Sequence, residues 1–145
     1  AFRGTFDHTL DAKNRLTVPA KFRPQLAGGI VVAAGLERCA EVWTPDAFDA
    51  HVAASLQGMH PASPEARRLS LFYTANAFDA ELDAAGRVMV PGALLTYAGL
   101  EKDVVVTGGG DHLKLWDREA WAAMSRELAA QAVQVTDQLS RLPIA

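Results

Sequence analysis

The sequence predicts an α+β fold built by duplicating one hairpin-led unit, and three observations carry that expectation. The segment Phe6-Asp7-His8-Thr9-Leu10-Asp11-Ala12-Lys13-Asn14-Arg15-Leu16-Thr17-Val18-Pro19 returns as Phe78-Asp79-Ala80-Glu81-Leu82-Asp83-Ala84-Ala85-Gly86-Arg87-Val88-Met89-Val90-Pro91. The offset is a constant 72 residues, and Phe, Asp, Leu, Asp, Ala, Arg, Val and Pro match in place. Each copy is then followed by a short helical stretch and two strand-like runs, the second of which ends in tryptophan. The remaining helix starts are marked by capping residues. A unit this wide, present twice, is not a solenoid, which stacks shorter units at least three times.

Taken in order, residues 4–10 alternate loosely, with Phe6 and Leu10 bounding polar positions, and read as a half-buried strand. Residues 11–14 form a turn. Its last residue, Asn14, matches Gly86 in the second copy, and Asn and Gly best tolerate a left-handed backbone. Residues 16–18 make the return strand, which Pro19 stops. Strand, turn and strand recur at 77–82, 83–86 and 87–90, so each unit opens with a hairpin holding Asp at the start of the turn and Arg at its exit.

Short helical stretches at 20–26 and 92–97 close at Gly28-Gly29 and Gly99. Two strands follow in each copy, 30–34 with 40–43 and 103–107 with 113–116. Thr44-Pro45-Asp46 and Ser63-Pro64-Glu65 each put a capping hydroxyl before a proline at the first helical position. Asp117 caps the last helix, with Glu119 in its first turn favouring the dipole. That helix carries Trp121, Met124, Leu128, Ala132, Val135 and Leu139 at helical spacing. The stripe packs on its own subunit or, widened by Val133 and Leu142, serves a neighbour. The expected division is a first repeat over 4–48, a helical connector over 49–75, a second repeat over 76–119 and a C-terminal helix over 120–145.

Half of the 145 residues are apolar and 21% are charged, enough to bury a core and too ordered in composition for a disordered chain. No apolar run approaches the ~20 residues of a membrane span, and no signal segment opens the chain. The lone Cys39 cannot form an internal disulfide. Together these favour a cytoplasmic protein without a membrane partner. Averaged over the surface, the net charge of −3 argues against a nucleic-acid binder, but its distribution is uneven. Residues 1–24 hold Arg3, Lys13, Arg15, Lys21 and Arg23 against Asp7 and Asp11, one basic end on an acidic body.

The duplicated chemistry is Asp-x-x-x-Arg. A guanidinium at the exit of an exposed turn can donate two hydrogen bonds to guanine O6 and N7 in a groove. Arg15 is the leading candidate, with Arg87 as its repeat. Lys13 at the turn tip and Arg3, Lys21 and Arg23 nearby suit phosphates, which position a protein without reading sequence. Asp11 and Asp83 would repel phosphate, so they suit accepting turn N–H groups or bracing an arginine, with Asn14 and Gly86 shaping the turns. The opposing account makes Arg15 and Arg87 internal struts paired with aspartates, which explains the repetition equally well.

Other signals point elsewhere. Gly108-Gly109-Gly110 is followed by strand-like sequence without Lys-Ser/Thr, so it reads as a hairpin turn rather than a phosphate loop. His8, His51, His60 and His112 lack metal-ligand spacing, so no metal or cofactor is expected. No nucleophile elbow is present, and no small-molecule substrate or enzymatic activity is expected. Trp43, Trp116 and Trp121 sit where core packing is the better account than base stacking.

The chain resembles the MraZ family, bacterial regulators built from two units of the AbrB/MazE type. The likeness rests on Phe2-Arg3-Gly4, on Asp11-x-Lys13-x-Arg15-Leu16 followed by Pro19, and on Asp83-x-x-Gly86-Arg87 followed by Pro91. Leu115-Trp116-Asp117, leading into a helix with Trp121, extends it across the chain. Asn14 stands where the family usually has Gly, and Ala85 replaces the lysine expected by analogy with Lys13. The resemblance implies a swapped-hairpin barrel in which two hairpins interlock about a pseudo-twofold axis with helices outside. It also implies a ring-shaped homo-oligomer that binds double-stranded DNA at short direct repeats. Those repeats lie upstream of the division and cell-wall gene cluster that includes the regulator's own gene, in a nucleoid-associated role. The rival readings are an antitoxin-like protein-binding module and a structural ring without base readout. Subunit number, operator spacing and the sign of regulation stay open at this level.

Overall fold

A computed structural model describes residues 1–143 of the chain. The elements run β1 (Thr5–Thr9), β2 (Arg15–Thr17), a 3-10 turn (Ala20–Phe22) leading into α1 (Arg23–Leu26), β3 (Ile30–Ala34) and β4 (Ala40–Trp43). They continue through α2 (Pro45–Leu56), α3 (Pro64–Ala75), β5 (Ala77–Ala80), β6 (Arg87–Met89), α4 (Gly92–Ala98), β7 (Asp103–Gly108), β8 (His112–Asp117) and α5 (Arg118–Ser140). Among the described residues no helix is long and apolar enough to cross a membrane.

The larger sheet has the order β1-β7-β8-β4-β3-β5, and β2 pairs with β6 in a separate ribbon. All the pairings are antiparallel. Exchanging the two units reverses the sheet order and returns the same list, so a pseudo-twofold axis relates them. The first strand of each unit hydrogen-bonds to the third strand of the other, β1 to β7 and β5 to β3. Neither unit completes the sheet alone. The expected α+β duplication of interlocked hairpins is the fold observed.

The hairpins differ from the sequence expectation in one respect: they are closed only at their tips. Asp11 N–H donates to the Arg15 carbonyl at 3.1 Å and Leu10 bridges Leu16. Beyond that point the arms part, β1 joining β7 and β2 joining β6. The reason is burial. Leu16 faces Val88 across the axis, and both are fully excluded from solvent together with Val18 and Val90.

That ribbon covers one face of the six-stranded sheet. Ile30, Val32, Val42, Val104, Val106 and Leu115 project from the sheet into the shared core. The opposite face carries Val31, Ala33 and Trp43, closed by Phe48 of α2 and Tyr73 of α3. Thr44 Oγ1 accepts from Ala47 N–H and Ser63 Oγ from Ala66 N–H, so both Pro-led helices start on the hydroxyl caps expected from sequence. Trp43 and Trp116 are core residues, 1% and 3% exposed, and Trp121 stacks obliquely on Trp116.

At the centre of that outer face Glu41 of β4 lies opposite Lys114 of β8, equivalent positions of the two units meeting at the axis. The buried Glu41 carboxylate accepts from Lys114 Nζ at 2.5 Å and from Trp43 Nε1 at 3.1 Å. His112 Nε2 lies 3.5 Å from it. The stripe on α5 packs on its own subunit only through the half-buried Trp121 and Met124; from Ser125 to Ser140 every residue is exposed.

Candidate nucleic-acid interface

In the ribbon, the alternation that buries Leu16 and Val88 turns the residues on either side of them outward. Register places Arg15 opposite Met89 and Thr17 opposite Arg87. The turn of residues 11–14 enters one end of the ribbon and that of 83–86 enters the other. Val90 N–H donates to the Asn14 carbonyl at 2.9 Å, and Val18 N–H to the Gly86 carbonyl at 2.9 Å. Each turn is therefore tied to the other unit's strand, and both Asp-x-x-x-Arg motifs share one surface.

The two turns are built alike. Asp11 Oδ1 accepts from the N–H groups of Lys13 and Arg15, both at 2.9 Å, and Oδ2 accepts from Arg15 Nε at 2.7 Å. Asp83 repeats this with Ala85 N–H and Arg87 N–H at 2.9 Å and Arg87 Nε at 2.8 Å. The backbone N–H of each arginine, reinforced by its guanidinium, holds the aspartate carboxyl below its ordinary pKa. Asn14 and Gly86 occupy the left-handed region, φ 57° and 77°, at the position that lets the chain double back. Each aspartate takes its own arginine's guanidinium through Nε, leaving the terminal nitrogens outside that brace. Arg87 Nη1 reaches to 4.0 Å from Asp11 Oδ2, coupling the two turns across the axis.

The other candidate cations divide. Lys13 is exposed at the tip of the first turn. Arg23 Nε donates to the Val18 carbonyl at 2.9 Å, and its guanidinium covers Gly86, so a first-unit arginine lies over the second turn. It supplies positive charge where Ala85 supplies none. Lys21 sits with Nζ 4.6 Å from the Phe6 ring centroid and 5.0 Å from that of Phe22, beside β1 rather than on the ribbon. Arg3 is not brought to the turns. Its backbone packs against Gly108, where Phe2 pairs with Gly110, at the end of β1 away from Asp11.

Two outward residues between the arginines, Thr17 and Met89, escaped the sequence reading. Met89 is 57% exposed, unusual for a residue of that size on a strand. Both stand two positions after an arginine, and strand alternation from Arg15 and Arg87 would have found them.

One family model, described as "MraZ protein, putative antitoxin-like", matches the chain twice, over residues 1–72 and 73–141. Among curated relatives, a transcriptional regulator MraZ of Salinispora tropica is 42% identical over 87% of this chain and 88% of its own. One of Leuconostoc citreum, under the same name, is 36% identical over 95% of this chain and 96% of its own. One of Thermomicrobium roseum is 33% identical over 97% and 99% respectively.

Proposed function

The chain belongs to the MraZ family, and on that premise we propose that it is a DNA-binding transcriptional regulator whose paired turns are the reading surface. The observation carrying this is the ribbon that fuses both Asp-x-x-x-Arg turns into one outward face, with each guanidinium held through Nε by the carboxylate of its own turn. The strut and contact roles are then successive uses of the same side chain. Nε is committed to the aspartate, which fixes the rotamer, and the outer fork is presented to a base edge. Pre-orientation of this kind lowers the ordering cost of a long side chain on binding.

Arg15 and Arg87 read guanine in the major groove, whose width admits a two-stranded ribbon. Lys13 and Arg23 take flanking phosphates, and Lys21 and Arg3 meet the backbone farther out. Asp11 and Asp83 brace, with Asn14 and Gly86 shaping the turns. A single subunit of net charge −3 holds DNA weakly. A ring of copies reading short direct repeats makes each further contact effectively intramolecular, raising avidity by ~10²-fold or more. The targets are repeats upstream of the division and cell-wall gene cluster that includes the regulator's own gene, and the protein acts in the cytoplasm at the nucleoid.

The test is a titration of labelled duplex carrying the repeats against a scrambled duplex. Arg15→Ala is expected to lose ~5- to 150-fold in affinity for the repeats, the worth of one bidentate contact at about 1–3 kcal/mol, with unchanged circular dichroism and assembly size. Raising salt from low to physiological should weaken binding by orders of magnitude. Equal affinity for both duplexes, or a flat salt response, defeats the reading.

A further inference from the structure

The outward face of the β2–β6 ribbon presents two cross-strand pairs, Arg15 beside Met89 and Thr17 beside Arg87. Arg15, Thr17 and Arg87 carry hydrogen-bonding groups suited to a base edge or a phosphate. Met89 offers only a weak thioether acceptor, yet it is 57% exposed at the centre of this polar surface. An exposed apolar residue says little by itself. This one stands directly across the ribbon from a guanidinium, and such neighbours lie about 4.5–5.5 Å apart at Cβ. Successive base pairs are about 3.4 Å apart, so whatever base Arg15 reads, Met89 meets the same step or the adjoining one.

The major groove offers donors, acceptors and one apolar group, the C5-methyl of thymine. An unbranched, polarisable thioether chain adapts its shape to such a group. Covering the methyl takes apolar surface out of water. Covering a cytosine amino group instead would strip a donor of its water and return no comparable hydrogen bond. Met89 thus favours thymine twice, by what it gains there and by what it loses elsewhere.

The pseudo-twofold axis does not repeat this residue. The offset of 72 residues that relates Arg15 to Arg87 relates Thr17 to Met89. A threonine hydroxyl both donates and accepts, so it tolerates several base edges. One half of the face is therefore Arg15 with Met89 and the other is Arg87 with Thr17. A surface with true twofold symmetry reads a self-complementary sequence. These unlike halves do not, and Lys13 against Ala85 at the turn tips adds to the inequality.

We infer that Met89 is a specificity-determining residue that takes the 5-methyl group of a thymine beside the guanine read by Arg15. Its mismatch with Thr17 makes the site non-self-complementary, so each subunit lies on the duplex in one orientation. The inference rests on the proposed reading of guanine by the ribbon.

The test begins with selection of the full chain's preferred site from a pool of random-sequence duplexes. The selected duplex is then remade with deoxyuridine replacing one thymidine at a time, which removes the methyl and nothing else, and titrated at fixed salt. Wild type is expected to select a non-self-complementary site and to lose about 4-fold at one deoxyuridine position beside a guanine, the worth of one buried methyl. In Met89→Ala that difference should vanish while guanine preference persists, which also shows the variant folded. The double variant Thr17→Met, Met89→Thr should move the sensitive position to the other half of the site. A self-complementary site, a wild type indifferent to every deoxyuridine, or a Met89→Ala that keeps the 4-fold difference would overturn the inference and leave guanine reading standing. Failure to select any sequence would remove base reading itself, and this inference with it.

Discussion

Burial and charge meet most sharply at Glu41. Desolvation alone would raise its carboxyl pKa, but the nearby His112 ring, 3.5 Å away, and the hydrogen-bonded Lys114 ammonium outweigh it and hold the group at about 2 against an ordinary 4.5. A depressed folded value stabilises the native state fully above the ordinary value, and that contribution is lost as pH falls from 4.5 towards about 2. The linked stabilisation is roughly 3 kcal/mol. Glu41→Gln should therefore flatten the acid limb of a pH–stability curve measured by urea unfolding. Lys114→Met in an otherwise native chain leaves a buried carboxylate unpaired and should cost ~3–5 kcal/mol, with Glu41→Gln in the same chain recovering part of it. The turn residues make a second contrast. Gly86→Ala adds a Cβ at positive φ directly beneath the Arg23 guanidinium, so it should lower both thermal midpoint and DNA affinity, whereas Asn14→Gly should leave both near wild type. The Asp-x-x-x-Arg brace was legible in the sequence because it closes within five residues. The Glu41–Lys114 pair was not, because it depends on strand register between residues 73 apart.

At the level of elements, local chemistry was readable and partners were not. The Thr44 and Ser63 caps follow from a hydroxyl placed before proline, and Thr44→Ala should cost about 1 kcal/mol, read as a lowered urea midpoint at unchanged slope. The short strands β2 and β6 were visible as apolar runs stopped by proline. That they leave their own hairpin arms to pair with each other is set by how much of Leu16 and Val88 can be buried, a property of two segments at once. In the same way the α5 spacing announces an apolar stripe but does not say what covers it. Trp121 and Met124 are the half-buried residues of the stripe, and from Ser125 to Ser140 the helix is exposed.

Across the whole molecule, the sheet cannot be divided between the two family repeats. Fragments 1–72 and 73–143 each lack the strand that their own first strand pairs with, β7 for β1 and β3 for β5. Neither is expected to unfold cooperatively alone, and mixing them at equal concentration should restore the native circular dichroism and a cooperative thermal transition. A stably folded homodimer of either fragment would contradict this, because self-pairing of the first would bury Glu41 against Glu41 and of the second Lys114 against Lys114. Duplication was evident in the sequence as a constant offset, while interlocking was evident only through the family resemblance. The axial pair also has a historical meaning. Two chains meeting about a true dyad must present the same side chain from each side, so unlike charges there can arise only after the halves were fused and free to diverge. Having diverged, they act as a ratchet: a gene shortened to one half would have to set Glu41 against Glu41, or Lys114 against Lys114, at its dyad.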